Sequence, residues 1–123
     1  MFKAVYPVLP TLDMAASLEF WRKLGFRVAF ADDPDRPEAS AYAGVERDGL
    51  CFHLQTFTPE QAGPKRPYSL RIEMESAEAL GALAAEWAPL GVITAPLGDR
   101  DWGNREFGFY DPDGTAIFFV VFL

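Results

Sequence analysis

The chain states one plan twice. Asp13–Phe26 reads DMAASLEFWRKLGF, a helix ending at a glycine and then a strand, and Ser76–Val92 reads SAEALGALAAEWAPLGV on the same scheme. Downstream, VERDGLCFHL turns at Asp48-Gly49 and GFYDPDGTAIFF turns at Asp113-Gly114. Helix starts and turns both recur at a spacing of about 63–65 residues, so two modules in the order strand–helix–strand–strand–strand account for the whole chain. The fold class that follows is α+β: two βαβββ modules forming open, cup-shaped mixed sheets with helices on the convex side. The repeat predicts one domain over residues 1–123, with modules at about 1–57 and 68–123 and a linker at 58–67. It also directs attention to the region where equivalent faces of the two modules meet.

With 123 residues, half of them hydrophobic, the chain can bury an ordinary core. A net charge of −7 argues against a nucleic-acid partner, which would want a basic face, and favours a cationic ligand. Cys51 is the only cysteine, which excludes an intramolecular disulfide and fits a reducing compartment. Lys3 precedes an apolar stretch already broken by Pro7 and Pro10, so no signal peptide is visible. Ala116–Leu123, the longest clean apolar run, is too short to span a bilayer. The expected location is the cytoplasm, with no membrane partner.

Local signals set the element boundaries. Phe2–Leu9 is β-prone and Pro10 ends it; Asp13 caps a helix whose Met14, Leu18, Trp21 and Leu24 share one face; Gly25 closes it. Strands are predicted at Phe26–Ala31, Ser40–Glu46 and Leu50–Phe57, the last two joined by Arg47-Asp48-Gly49. Thr58–Pro67, rich in proline and glycine, reads as linker. The second set is a strand at Tyr68–Met74, a helix capped by Ser76 that buries Leu80, Leu83 and Trp87, and strands near Val92–Pro96, Asn104–Tyr110 and Thr115–Phe122. Asp32–Glu38 and Gly98–Gly103 are polar loops, either ligand lids or solvated.

Period-two alternation then sorts the faces. Leu50, Phe52 and Leu54 oppose Cys51, His53 and Gln55, while Leu70, Ile72 and Met74 oppose Ser69, Arg71 and Glu73. The apolar sets belong under the helices. The polar sets, with Tyr6, Glu106 and Phe118, are expected on the inward face.

Paired βαβββ modules with LPTLDMAASLEFWRKLGF near the start and WGNREFGFYDPDG (Trp102–Gly114) before the last strand resemble the vicinal oxygen chelate superfamily of glyoxalases, extradiol dioxygenases, and fosfomycin- and bleomycin-resistance proteins. The resemblance covers essentially the full length. Trp102-Gly103, placed before the DPDG turn, looks most like the bleomycin-resistance branch, where a tryptophan there lines the drug site. Metal-using members carry ligands at the positions of Tyr6, His53, Ser69 and Phe118. A divalent site needs about three nitrogen, sulfur or carboxylate donors, and only His53 qualifies. The expectation is therefore no metal and no other cofactor.

The same residues can be read two ways. His53 is a hydrogen-bonded wall residue or a general base working with Tyr6, Ser69 or Glu106. Glu106 is that partner or a carboxylate that is solvated or paired with an arginine. Arg71 and Glu73, two apart on one face, read as an ion pair, or Arg71 joins Tyr6, Ser69 and Phe118 as a ligand contact on the inward face. Trp102, an aromatic ring in a polar loop, is the best ligand contact unless it packs across a dimer interface. Arg105, Phe30 and Tyr42 are further ligand candidates, and Cys51 is a wall neighbour of His53. Two functions remain. One is a non-metal binding protein of antibiotic-resistance type, sequestering a large cationic or aromatic molecule. The alternative is a lyase, isomerase or dioxygenase-like enzyme with acid–base chemistry at His53 and Glu106, or with a non-standard metal site. The resemblance further implies a homodimer, one module closing against the partner's other module.

Overall fold

A computed structural model describes residues 1–64 and 69–123. The chain divides into two compact units, Met1–Lys65 and Arg66–Leu123, each built on one four-stranded mixed sheet.

In the first unit the order across the sheet is β1 (Val8–Thr11), β4 (Leu50–Thr56), β3 (Tyr42–Arg47), β2 (Arg27–Ala31). β1 runs parallel to β4 and the other neighbours are antiparallel. A helix, α1 (Met14–Lys23), connects β1 to β2 at the opposite edge of the sheet. Asp13 caps it by accepting from the Ala16 N–H at 3.1 Å. Gly25 follows at φ 88°, a left-handed conformation that suits glycine. Met14, Leu18, Trp21 and Leu24 are buried, and the Trp21 ring lies 5.0 Å from Phe52 and 4.9 Å from Phe26. Asp48 and Gly49, at φ 52° and 82°, make the tight β3–β4 turn.

Two boundaries differ from expectation. Pro10 does not end the first strand but lies inside β1, opposite Gln55. A proline has no N–H for a ladder, so it is tolerated because β1 is an edge strand. Residues ahead of β1 are tied to the sheet by the Pro7 carbonyl, which accepts from the His53 N–H at 2.9 Å. The expected linker also contains a helical turn, α2 (Pro59–Ala62). Thr58 and Gln61 form a reciprocal capping box there, with proline at the first helical position. Residues 65–67 of that segment, and Tyr68, lie outside the described residues.

The second unit repeats the plan as β5 (Ser69–Glu73), β8 (Ala116–Phe122), β7 (Asn104–Tyr110), β6 (Ala95–Asp99), with β5 parallel to β8. Ser76 caps α3 (Ala77–Trp87) through the Ala79 N–H at 3.0 Å. Leu80, Ala84 and Trp87 form the buried stripe, and Leu83 is only half-buried. Trp87 packs on Phe107, Phe109 and Phe119 at 5.2–6.0 Å. β6 begins three residues later than expected because α3 runs on into a single 3-10 turn, Ala88–Leu90, which Gly91 closes at φ 68°. The strand also takes in Gly98 and Asp99, and a bulge between Ala95 and Gly98 absorbs the irregular register.

The DPDG turn closes around Asp111. Its Oδ1 accepts from the Asp113 and Thr115 N–H groups at 3.0 and 2.9 Å, while the buried Oδ2 has no partner among the described residues. Burial pushes the Asp111 carboxyl up to about 6, against the pull of the backbone N–H groups. The folded chain therefore holds this proton more tightly than the unfolded chain, whose carboxyl titrates near 3.8. Stability from this group is fully present below the unfolded value and is lost as pH rises toward the folded one. At roughly 1.4 kcal/mol per unit, the loss is at most about 3 kcal/mol. Asp111→Asn keeps the Oδ1 acceptor and cannot ionise. Urea unfolding between about pH 4 and pH 7 should show the wild type losing roughly 1–3 kcal/mol relative to this variant. Parallel pH profiles would contradict the assignment.

Candidate functional site

Each sheet turns one face to its helix and leaves the other open, and the candidate residues sort onto the open faces. In the first unit Phe52 and Leu54 are buried, whereas Cys51, His53 and Gln55 alternate away from them. His53 lies opposite Gly44 on β3 and Val8 on β1. A side chain at Gly44 would collide with the Phe30 ring, so the glycine is what lets that ring lie across the sheet. Phe30 there meets His53 edge-on at 5.0 Å, and Tyr6 stacks on the imidazole at 4.8 Å and 9°. The Tyr42 hydroxyl and His53 Nδ1 share a hydrogen bond of 2.8 Å. The open face of this unit is thus a wall of four rings in which Nε2 is the imidazole atom left to meet a ligand. Cys51 is on the same face, but burial and then the Glu46 carboxylate push its thiol up, away from the reactive thiolate.

The second unit gathers Arg71, Trp102, Glu106 and Phe118. Glu106 is 1% exposed. Arg71 Nη2 donates to both of its oxygens at 3.1 Å, and the Trp102 indole N–H donates to Oε1 at 3.1 Å. The expected Arg71–Glu73 pair is replaced by this contact: Glu106 projects to the same face from β7, two strands across, and is the buried carboxylate that needs a counter-charge. Phe118 lies beneath the Arg71 guanidinium, 5.2 Å from ring centre to Cζ, over the space that Gly108 leaves open. Ser69 and Glu73 are exposed on the same strand face. Trp102 itself is 68% exposed. Its hairpin turn is closed by the Arg100 N–H to the Asn104 carbonyl at 2.8 Å and by Gly103 at φ 92°.

Arg105 stands apart. It alternates with Glu106, on the strand side of Phe107 and Phe109, and pairs with Asp99 at 2.6 Å. That hydrogen bond holds the Asp99 carboxyl below its usual range. The Asp32–Glu38 loop is pinned, with the Asp32 carboxylate accepting from the Ala41 N–H and the Ser40 hydroxyl accepting from the Asp33 N–H. Alternation alone missed Gly44 and Gly108, whose only sequence signal is a glycine inside a strand pattern.

The positions that the resemblance implies for metal ligands, Tyr6, His53, Ser69 and Phe118, do not suit a divalent ion. Phe118 has no donor atom, Tyr6 is stacked on His53, and His53 supplies the single nitrogen. Among the described residues no group of three His, Cys, Asp or Glu comes together.

Residues 3–119 match the family described as the Glyoxalase/Bleomycin resistance protein/Dioxygenase superfamily, and the chain belongs to it. Similar solved structures include a glyoxalase/bleomycin resistance protein/dioxygenase from Alicyclobacillus acidocaldarius, with TM-score 0.78 and 15% identity over 98% of this chain and 92% of that one. Another is the bleomycin-binding protein of Streptomyces verticillus in complex with copper(II)-bleomycin, with TM-score 0.72 and 27% identity over 97% and 95%. A bleomycin resistance determinant encoded on transposon Tn5 is 18% identical, with TM-score 0.73 over 98% of both chains. No curated protein matches the chain.

The Glu106 contacts make a stability prediction. Removing one partner of a fully buried pair costs about 3–5 kcal/mol, and the 40% exposure of the Arg71 side chain lowers this to about 1–3 kcal/mol for Arg71→Met. Adding Glu106→Gln to that variant should recover part of the loss. Strictly additive effects in urea unfolding of the four proteins would show that the pair is not coupled.

Proposed function

We propose that this chain is a non-metal small-molecule binding protein of the glyoxalase/bleomycin-resistance type, and that it sequesters a large cationic or aromatic ligand without transforming it. The observation that carries this reading is Trp102, an exposed indole held in place by its own N–H. A planar group stacked on such a ring gains roughly 0.5–1.5 kcal/mol beyond the area buried. Tyr6, Phe30, Tyr42 and His53 supply a second aromatic surface, and Ser69, Arg71 and Phe118 supply polar and ring contacts beside Trp102. The relative that is 27% identical binds copper(II)-bleomycin, and the net charge of −7 favours a cation. Acid–base catalysis fits less well, because both oxygens of Glu106 are engaged by Arg71.

We also propose a homodimer in the cytoplasm. Neither sheet closes on itself, and Leu97, Tyr110, Phe122 and Leu123 are exposed. Light scattering should give twice the 13.7 kDa chain mass, and a monomer mass would reject the dimer.

The function is tested by titrating metal-free bleomycin and flat heteroaromatics while following tryptophan fluorescence. Trp102→Ala should weaken binding by at least about tenfold, equal to 1.4 kcal/mol, and cost less than about 1–2 kcal/mol of stability. Unfolding of that variant would make Trp102 structural. Stoichiometric metal in the purified protein, lost on His53→Ala, would revive the enzyme reading.

A further inference from the structure

We propose that Glu106 is a positioning residue. Its one buried carboxylate fixes the Trp102 indole and the Arg71 guanidinium together, making the open face of the second unit a preassembled seat for a planar, uncharged group that carries a hydrogen-bond acceptor. The ligand half of this inference rests on the binding-protein reading and narrows it for this face.

The indole comes first. Trp102 is on a short hairpin turn with most of its ring in solvent, where a side chain ordinarily samples several rotamers. Its only polar atom is Nε1, a donor. Directing that donor to Glu106 at 3.1 Å fixes both side-chain torsions while leaving a ring face uncovered. A ligand that stacks there meets a ring already ordered, so less conformational freedom is lost on binding.

Arg71 supplies the acceptor preference. A guanidinium carries five N–H donors, and here Nη2 alone serves both oxygens of Glu106. Nε and Nη1 make no hydrogen bond to any described residue, and the side chain is 40% exposed. Phe118 holds the guanidinium from below at 5.2 Å, in a position that the absent side chain of Gly108 permits. Outward-facing donors of this kind want a carbonyl or ring-nitrogen acceptor.

Charge sets the remaining requirement. Arg71 is flanked by Glu106 and by Glu73 on the same strand face, so the local formal sum is negative and an anion is disfavoured. The guanidinium itself disfavours a cation beside it. A neutral heteroaromatic carboxamide satisfies both conditions.

The tether can be tested without ligand, through the indole N–H resonances of 15N-labelled protein, with Trp102 assigned by Trp102→Phe. In the wild type its indole proton should exchange with solvent at least about tenfold more slowly than free indole. Glu106→Ala should abolish that protection and Glu106→Gln should retain part of it, with the Trp21 and Trp87 signals unmoved as the check on folding. Exchange as fast as free indole in the wild type overturns the positioning role even if both variants fail to fold. Unchanged exchange in a folded Glu106→Ala does the same. The ligand class is tested with nicotinamide, nicotinate and 1-methylnicotinamide, one ring at three charges. Nicotinamide should bind at least about threefold more tightly than either ion, and the preference should vanish in Glu106→Ala. Tighter binding of an ion, or no binding of any probe to a tethered Trp102, overturns the seat while leaving the positioning role standing.

Discussion

The helices α1 and α3 each plant one tryptophan against the aromatic underside of a sheet, and the facing of the strand residues follows from that contact. Trp21 meets Phe26 and Phe52, and Trp87 meets Phe107, Phe109 and Phe119. Burying 150–250 Å² per ring at about 25 cal/mol per Å² is worth roughly 4–6 kcal/mol for each aromatic side chain. Shifting a strand by one residue would turn those rings to the other side and bring the polar set under the helix. No single hydrogen bond on the open face competes with that cost. Where His53, Arg71 and Glu106 point is therefore decided by rings buried between helix and sheet.

The open faces then have a problem of their own. Glu106 alternates with core phenylalanines and is almost fully buried, so its charge must be met locally. Arg71 and Trp102 meet it from β5 and from the β6–β7 turn. The interaction ties an exposed indole to a sheet through a buried anchor, which accounts for a solvent-facing aromatic having a defined direction. In the first unit the equivalent restraint is neutral: His53 is held by the Tyr42 hydroxyl and by ring contacts from Tyr6 and Phe30. One unit orders its open face by charge and the other by aromatic packing.

Repeat, caps and alternation were legible in the sequence because each is local. Asp13 and Ser76 cap where their positions predict, the chain turns at Asp48-Gly49 as expected, and the buried stripe of α1 is the one that helical spacing selects. The misses have one physical character. Pro10 is tolerated in β1 only because that strand is an edge, and edge status is a property of the assembled sheet. Arg71 pairs with a residue 35 positions away instead of with Glu73, since burial of Glu106 outweighs proximity along the chain. The α2 turn is a different case, because its capping box was written plainly in Thr58-Pro59-Glu60-Gln61 and was obscured by the surrounding prolines and glycine.

The duplicated scaffold also shows how little sequence separates one kind of site from another. His53 and Phe118 occupy matching places, each on the strand that pairs in parallel with its unit's first strand, and each opposite a glycine, Gly44 or Gly108. In the first unit the glycine makes room for a ring from β2, and the histidine stands beside it. In the second, Phe118 itself takes the space over the glycine and supports Arg71 from below. A metal ligand at position 118 would need a donor atom where this chain has a ring edge, and a donor there would remove the surface on which the guanidinium rests. The two uses of the position exclude each other. On the proposed binding reading, a face built around Arg71, Glu106 and Trp102 serves recognition by stacking and hydrogen bonding, and Phe118, which supports it, offers no donor atom for a metal at that place.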